Sequence, residues 1–239
     1  MATTTWDGSS STDWSVAANW DTNAVPIAGD YVIIPDDSTT ANDCTLTASD
    51  NPMGNIYIMT GGSLTGAGKK LTLSGSTGSN TMRWVGTITG VLDVDITGGV
   101  DKVIKDDSGT GNIRNLIINN SGNTLNIGSA ASQPLTLDGN LTITAGTLDT
   151  TTDDNALTVG GTTTVGGGAT AANTSVLTCN DSVCSFGSGI TSAAGLSILQ
   201  GGTFVGGGGA HTMGSFKTAN HTDAIATMSS VVTTINSEY

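Results

Sequence analysis

Residues 135–143 have the sequence Leu-Thr-Leu-Asp-Gly-Asn-Leu-Thr-Ile, and residues 157–165 have the sequence Leu-Thr-Val-Gly-Gly-Thr-Thr-Thr-Val. Each stretch predicts two short strands, because apolar residues and threonine alternate on either side of a glycine-containing turn. Glycine and asparagine at such turns adopt backbone conformations that other residues resist. The two stretches therefore indicate one structural unit that is used repeatedly.

This unit recurs along most of the chain. Similar strands begin at residues 71, 92, 116, 135, 157, 177 and 196, which gives a drifting period of about 20 residues. Short strands joined by tight corners form the coils of a β-solenoid, in which each coil buries its inward side chains only by stacking on its neighbours. A β-sandwich or β-barrel is the competing fold class. We expect an all-β, parallel β-solenoid (β-helix) with N- and C-terminal caps.

Composition excludes several classes of protein. The chain has 41 Thr, 34 Gly and 19 Asp in 239 residues, and only 11% of its residues are charged. Thr, Gly and Asp are poor helix formers, so a helical bundle is excluded. The net charge of -13 and the missing basic stripe argue against a nucleic-acid partner. No apolar run approaches the roughly 20 residues that span a membrane, so no membrane partner is expected.

The period also gives an interpretation of the cysteines. A constant period aligns Cys179 with apolar residues of neighbouring coils, which predicts a small buried hydrophobe rather than a nucleophile. The aligned residues are Leu137, Val159, Cys179 and Ile198. Cys184, beside Phe186, has the same interpretation, and a Cys179–Cys184 disulfide is left open.

The ends of the chain differ from its middle. We expect a Trp/Pro-rich N-terminal cap with the first strands at residues 1–54, solenoid repeats at 55–210, and a C-terminal cap or oligomerisation tail at 211–239. The N-terminal part holds Trp6, Trp14 and Trp20. We interpret these three as the core of a cap that docks on a partner, in preference to a sugar-binding platform.

The N-terminal part also carries a resemblance. The residues that form the pattern are Trp6-Asp-Gly8, Asp13-Trp14-Ser15, Ala18-Asn19-Trp20, Pro26, Gly29-Asp30 and Val32-Ile33-Ile34. This pattern resembles the segment that opens the repeat regions of large bacterial surface and autotransporter-like proteins, and similar segments occur in bacteriophage virion proteins. The resemblance implies a right-handed β-solenoid with a structural or adhesive role, and it transfers no catalytic residues.

We expect no enzymatic activity. Solenoid enzymes that cleave polysaccharides place acidic residues together on one face, and here only Asp93 and Asp95 share a strand face by alternation. They are the weak candidate carboxylates if the protein is an enzyme. Calcium-loop patterns are missing from the sequence, so no metal and no cofactor are expected.

Two features of the charge distribution stand out. Six of the seven basic residues lie between Lys69 and Arg114, where we expect solvated side chains that neutralise the acidic residues from Asp93 to Asp107. Residues 155–210, hereafter the neutral flank, carry Asp181 as their single charge. A soluble surface normally carries more charge, so we expect the neutral flank to pack against copies of the chain or a larger surface.

These observations favour a non-enzymatic structural protein of a bacteriophage virion, either a capsid decoration (cement) protein or a short head or tail fibre. The N-terminus has no secretion signal, which fits proteins released by lysis. The expected partners are the major capsid protein or another virion protein, and copies of the chain, as a homotrimer by analogy with decoration proteins. The expected location is the capsid surface. A bacterial cell-surface or extracellular adhesin is the alternative, and a polysaccharide-active, tailspike-like protein is the third candidate.

Overall fold

The computed structural model describes residues 2–75, 80–107, 109–150, 154–166, 174–179, 181–187, 196–199, 202–213, 215–218, 224–228 and 233–235. In these ranges the chain is almost entirely β-strand, with two short 3-10 helices (Ala17–Asn19 and Asp37–Thr39) and no α-helix. They contain no helix long and apolar enough to cross a membrane. The strands pair in parallel and form a β-solenoid with about 23 residues per coil. The predicted all-β solenoid is confirmed.

The chain divides into two compact units, residues 1–114 and 115–239. The strands of the first unit are β1 (Thr3–Thr5), β2 (Tyr31–Ile34), β3 (Cys44–Thr45), β4 (Asp50–Met53), β5 (Asn55–Ile58), β6 (Ser63–Thr65), β7 (Lys69–Leu73), β8 (Asn80–Trp84), β9 (Thr87–Thr89), β10 (Leu92–Thr97) and β11 (Lys102–Asp106). They form three parallel ladders, β1–β2–β5–β8–β11, β4–β7–β10 and β3–β6–β9.

Apolar columns fill the interior of the first unit. Strand alternation turns every second side chain inward, and the parallel register places inward residues of successive coils side by side. One such column contains Val32, Ile56, Met82 and Ile104, all buried. Each coil thus supplies the apolar surface that the next coil needs for burial.

The second unit has the same architecture. Its strands are β12 (Asn115–Ile127), β13 (Leu135–Leu137), β14 (Leu141–Asp149), β15 (Leu157–Val159), β16 (Thr163–Val165), β17 (Ser175–Thr178), β18 (Cys184–Phe186), β19 (Leu196–Ile198), β20 (Gly202–Gly206), β21 (His211–Met213), β22 (Phe216–Thr218), β23 (Ile225–Met228) and β24 (Thr233–Ile235). Its parallel ladders are β12–β14–β16–β19–β22, β14–β17–β20–β23 and β13–β15–β18–β21–β24. The two strands predicted in each of the stretches 135–143 and 157–165 are present.

The predicted alignment of Cys179 and Ile198 with Val159 is wrong. Leu137 does pair with Val159, but Val159 pairs with Phe186 of β18. Ile198 pairs with Val165, and Cys179 directly follows β17, which belongs to another ladder. The reason is that coil length varies: Leu157 is 22 residues after its partner Leu135 and 27 before its partner Cys184. A constant period of about 20 residues therefore loses its phase.

The described strands of the segment 211–239 continue the ladders of the second unit. Strand β21 pairs with β18, β23 pairs with β20, and β24 pairs with β21, all in parallel. The described residues within 223–235 form strands β23 and β24. The division of the structure after Arg114 does not coincide with the boundaries expected from sequence at 54/55 and 210/211.

A glycine corner of the first unit tests the stacking. Gly111 has a φ of +87°, and a Cβ there would overlap the carbonyl oxygen of Ile88 in the preceding coil. We expect Gly111→Ala to lower the free energy of unfolding by about 2 kcal/mol or more, since left-handed strain and backbone overlap add. Gly99 is the control, because a Cβ there meets no atom within 4 Å. Gly99→Ala should change stability by less than about 1 kcal/mol in urea unfolding, and equal effects would contradict the stacking argument.

Candidate functional site

The three N-terminal tryptophans form the core of a cap. Trp6, Trp14 and Trp20 are only 1–2% exposed. Trp20 is central: its ring centroid lies 5.1 Å from that of Trp6 and 4.6 Å from that of Trp14, and both pairs pack edge to face. The indole nitrogens of Trp6 and Trp20 donate to the carbonyl oxygens of Asn42 and Trp14, at 2.8 and 2.9 Å. Edge-to-face packing with satisfied N–H groups is the arrangement expected of a buried aromatic core.

Asn19 is the polar centre of this cap. Its side chain is fully buried, and its Oδ1 accepts from the backbone N–H groups of Ser10 and Ser11, both at 2.8 Å. Its Nδ2 donates to the Ser11 hydroxyl at 2.9 Å and to the Asp13 carbonyl oxygen at 2.8 Å. All four hydrogen-bonding positions of the amide are used. This accounts physically for the Asn-Trp pair at positions 19 and 20.

The burial of the rings limits how the cap can act. A sugar-binding platform needs an exposed ring face, and none of the three tryptophans offers one. Trp6, Trp14 and Trp20 therefore hold the cap together, and a partner that docks here would contact the loops around them. Ile27, which follows Pro26, is 66% exposed on one of these loops. Docking through the cap stays a prediction.

The amide of Asn19 can be tested by replacement with an apolar side chain of the same shape. We expect Asn19→Leu to lower the free energy of unfolding by about 2–3 kcal/mol, because three partly buried backbone groups lose their partners. Asn23 lies exposed on the following segment, and Asn23→Asp is the control with an expected change within about 0.5 kcal/mol. Both are measured by urea unfolding at pH 7. A loss for Asn19→Leu no larger than for the control would show that the amide network is dispensable.

Asp93 and Asp95 project outward from β10, as strand alternation predicted. Each is engaged by a cation. The Arg114 guanidinium donates two hydrogen bonds to the Asp93 carboxylate, from Nε to Oδ1 at 2.8 Å and from Nη2 to Oδ2 at 2.5 Å. Lys70 Nζ lies 2.8 Å from Asp95 Oδ2, and this hydrogen bond is the main cause of a raised Lys70 pKa. The two carboxylates are thus parts of ion pairs.

Residues of opposite charge also face each other on the strands next to β10. Lys70 pairs in register with Asp50 and Asp93 on the two adjacent strands, and opposite charges across strands stabilise a sheet. Arg83 binds Asp107 with Nε at 3.0 Å and lies over the Tyr57 ring at 4.6 Å. The expected neutralisation of the acidic residues is therefore present in these pairs.

Lys102 departs from this expectation. The sequence predicted a solvated side chain, yet Lys102 is only 1% exposed and its Nζ donates to the Val100 carbonyl oxygen at 2.9 Å. Burial lowers the pKa of its ammonium group. The reason is its position on β11, where its side chain alternates with Val103 and takes an inward site beside Gly75.

The Asp93–Arg114 pair should contribute little to stability, because the Arg114 side chain is 43% exposed. We expect a double-mutant cycle of Asp93→Asn and Arg114→Gln to give a coupling energy of about 0.2–1 kcal/mol at low salt. The coupling energy should decrease in about 1 M salt, because dissolved ions screen the electrostatic attraction between exposed charges. A coupling that is larger and independent of salt would contradict this assignment of the pair as a surface interaction.

The described part of the neutral flank contributes to two outward columns of hydroxyl groups. Thr158 and Ser185 of the neutral flank lie in one column between Thr136 and Thr212, which are outside the neutral flank in sequence. Thr164 and Ser197 of the neutral flank continue a second column that begins at Thr142, beside a shallow cleft of about 190 Å³. Val183 of the neutral flank, which directly precedes β18, is 55% exposed. The rest of the neutral flank, residues 167–173, 180, 188–195 and 200–201, lies outside the described residues.

Cys179 and Cys184 are buried, as predicted, and Cys44 is buried as well. Cys179 and Cys184 form a disulfide, the alternative that the sequence left open, while Cys44 is a buried free thiol whose pKa is raised mainly by burial. His211 approaches the disulfide: one donor atom from each of Cys179, Cys184 and His211 lies within 4.8 Å of the other two. Sequence reasoning missed this cluster because it depended on the constant period, which put Cys179 in the wrong column.

Comparison with protein-family models, with curated proteins and with solved structures finds no match to this chain. The function of the protein is therefore inferred from the residues and geometry described above.

Proposed function

We propose that this chain is a non-enzymatic structural protein of a bacteriophage virion, a capsid decoration protein or a short head or tail fibre. The observation that carries the proposal is that, within each unit, buried apolar columns of the described residues stack under an exterior of paired charges or hydroxyl groups. Within a unit, the described strands of successive coils are joined by parallel backbone hydrogen bonds and by apolar burial. Such an element resists deformation along the ladder and serves a mechanical role.

The candidate acids weigh against catalysis. A glycoside hydrolase needs one carboxyl group free to donate a proton and a second free to attack or to activate water. Arg114 forms hydrogen bonds to both carboxylate oxygens of Asp93, and Lys70 forms one to Oδ2 of Asp95, so cations already engage both groups. A tailspike-like activity at this pair is therefore disfavoured.

In the proposed role, the N-terminal cap and the neutral flank have different tasks. The N-terminal cap docks on the virion through the exposed loops around its tryptophan core, where Ile27 is the most exposed large apolar residue. The neutral flank supplies contacts between copies, because hydroxyl groups and Val183 can be buried there without the cost of removing charges from water. Three copies around an axis would add buried area across a joint between capsid subunits, by analogy with decoration proteins.

A bacterial surface adhesin is the second candidate. The specific observation in its favour is the pair of hydroxyl columns, Thr136–Thr158–Ser185–Thr212 and Thr142–Thr164–Ser197, which offer repeated donors and acceptors to a polar surface such as a glycan. The location of the protein in its source culture separates the two candidates.

The deciding experiment is detection of the chain, with a specific antibody, in gradient-purified phage particles and in washed cell envelopes from the same culture. Recovery with the particles at a fixed ratio to the major capsid protein supports the virion role. Recovery with intact envelopes, and none with particles, would replace it with the adhesin. Sugar release from bacterial capsule that is lost in Asp93→Asn would instead support the enzyme.

Self-association through the neutral flank is tested by sedimentation over a range of protein concentrations. We expect assemblies of three times the chain mass of 23.8 kDa to form as concentration rises. Val183→Asp puts a charge on the neutral flank and should weaken association at least about tenfold, since burying an unpaired charge is costly. Met59→Asp, at a 37% exposed residue of the first unit, is the matched control and should have no effect. A wild-type chain that stays strictly monomeric would refute the proposal that copies of the chain associate through the neutral flank.

A further inference from the structure

Three side chains with strong affinity for metals converge inside the second unit. Cys184 of β18 and His211 of β21 are direct partners in the parallel register, so both point inward side by side in successive coils. Cys179 follows β17 in the same coil as Cys184. The three are 0%, 0% and 2% exposed, and their donor atoms lie within 4.8 Å of one another.

His211 is buried without a polar partner among the described residues. Neither Nδ1 nor Nε2 makes a hydrogen bond in the part of the chain that the structure describes. Its ring packs edge to face against Phe204, with centroids 6.0 Å apart. Burial lowers the pKa of the imidazole, which favours the neutral form that binds metals. An unpaired polar group in a core costs free energy, so buried polar groups are normally satisfied by a partner or a ligand.

The chemistry of the three groups identifies the class of ligand. Two thiolates and a neutral imidazole are soft to borderline donors, which select Zn²⁺ or Cu⁺ over Mg²⁺ or Ca²⁺. Donors bound to one zinc ion lie about 2.0–2.3 Å from it, and therefore within roughly 4.6 Å of each other. The three groups already meet this condition to within small side-chain adjustments once the disulfide is opened.

We propose that the reduced protein binds one thiophilic metal ion, Zn²⁺ or Cu⁺, through the sulfurs of Cys179 and Cys184 and an imidazole nitrogen of His211, and that the disulfide is the metal-free state of the same site. A small-molecule dithiol opens the site: two electrons and two protons pass to the disulfide, which gives two cysteine thiols and the oxidised dithiol. The metal ion then replaces both thiol protons, which are released to solvent. A small-molecule disulfide reverses the change: it takes two electrons from the two thiolates and two protons from solvent, which gives the Cys179–Cys184 disulfide, two small-molecule thiols and the free metal ion.

The two states tie the fold together differently. The disulfide joins two points of a single coil, whereas the metal ion also engages His211 in the next coil. Metal binding therefore adds a link between coils that the disulfide cannot provide. The metal-bound chain should consequently resist thermal unfolding better than the reduced, metal-free chain, because the ion binds only the folded arrangement.

The experiment uses the full chain, reduced and then freed of reductant under anaerobic conditions, with three free thiols confirmed by titration. Zn²⁺ is added in competition with a chromophoric chelator, and Cu⁺ is added in a separate arm with its own chelator. We expect one ion per chain in at least one arm and none in the oxidised chain; the tighter arm identifies the metal. X-ray absorption of the loaded wild-type chain should show two sulfur ligands, at about 2.3 Å for zinc, and nitrogen at about 2.0 Å.

The variants assign the ligands. Cys179→Ala with Cys184→Ala should abolish binding, and His211→Gln should weaken it at least about tenfold, since even loss of a group that only orients a metal ligand costs that much. Cys44→Ala is the matched control, because Cys44 is also buried but lies in the first unit, and it should bind one ion like the wild type. The absorption measurement needs no variant, so it stands even where a variant fails to fold. A fully reduced wild-type chain that binds no ion, or binds one through oxygen ligands alone, would overturn the proposal.

Discussion

The structure depends on one constraint: an inward side chain of this chain can be buried only by the coils on either side of its own. A coil of short strands has no interior of its own, so apolar residues must recur in register and backbone N–H and C=O groups must pair between coils. The column of Val32, Ile56, Met82 and Ile104 shows how this is met with unbranched, β-branched and sulfur-containing side chains of different shape. Corners must be small, which is why a side chain at Gly111 would strike the coil before it.

The same constraint makes the N-terminal cap necessary. Among the described strands β1 pairs only with β2, and an uncovered strand edge invites uncontrolled pairing. The chain closes this end with three indole rings around Trp20 and with Asn19, whose amide binds the loop that carries Trp14. Residues with large and rigid side chains are used here because the cap has no repeat to supply its packing.

Most buried polar side chains of the described residues are hydrogen bonded, but a few atoms, such as Trp84 Nε1, Thr163 Oγ1 and Ser175 Oγ, are not. In the second unit, Asn155 accepts from the Gln133 N–H and donates to the Ile127 and Ala130 carbonyl oxygens, so it closes a corner without loss. Thr150 and Ser182 do the same beside Cys179. His211 differs from these groups because neither ring nitrogen makes a hydrogen bond to a described residue and because two sulfur atoms lie beside it. That contrast is what points to a ligand.

Sequence alone determined the all-β solenoid, the strands around residues 135–165 and the outward position of Asp93 and Asp95, because these follow from local alternation and its recurrence along the chain. It also predicted that Cys179 is buried, but through an alignment between coils that the structure contradicts. It did not determine which residues of different coils meet. Coil lengths vary with the segments between strands, so register is set by packing and backbone pairing over the whole unit. Only the tertiary structure therefore paired Asp93 with Arg114, buried Lys102 inside a basic stretch, and brought Cys179, Cys184 and His211 together.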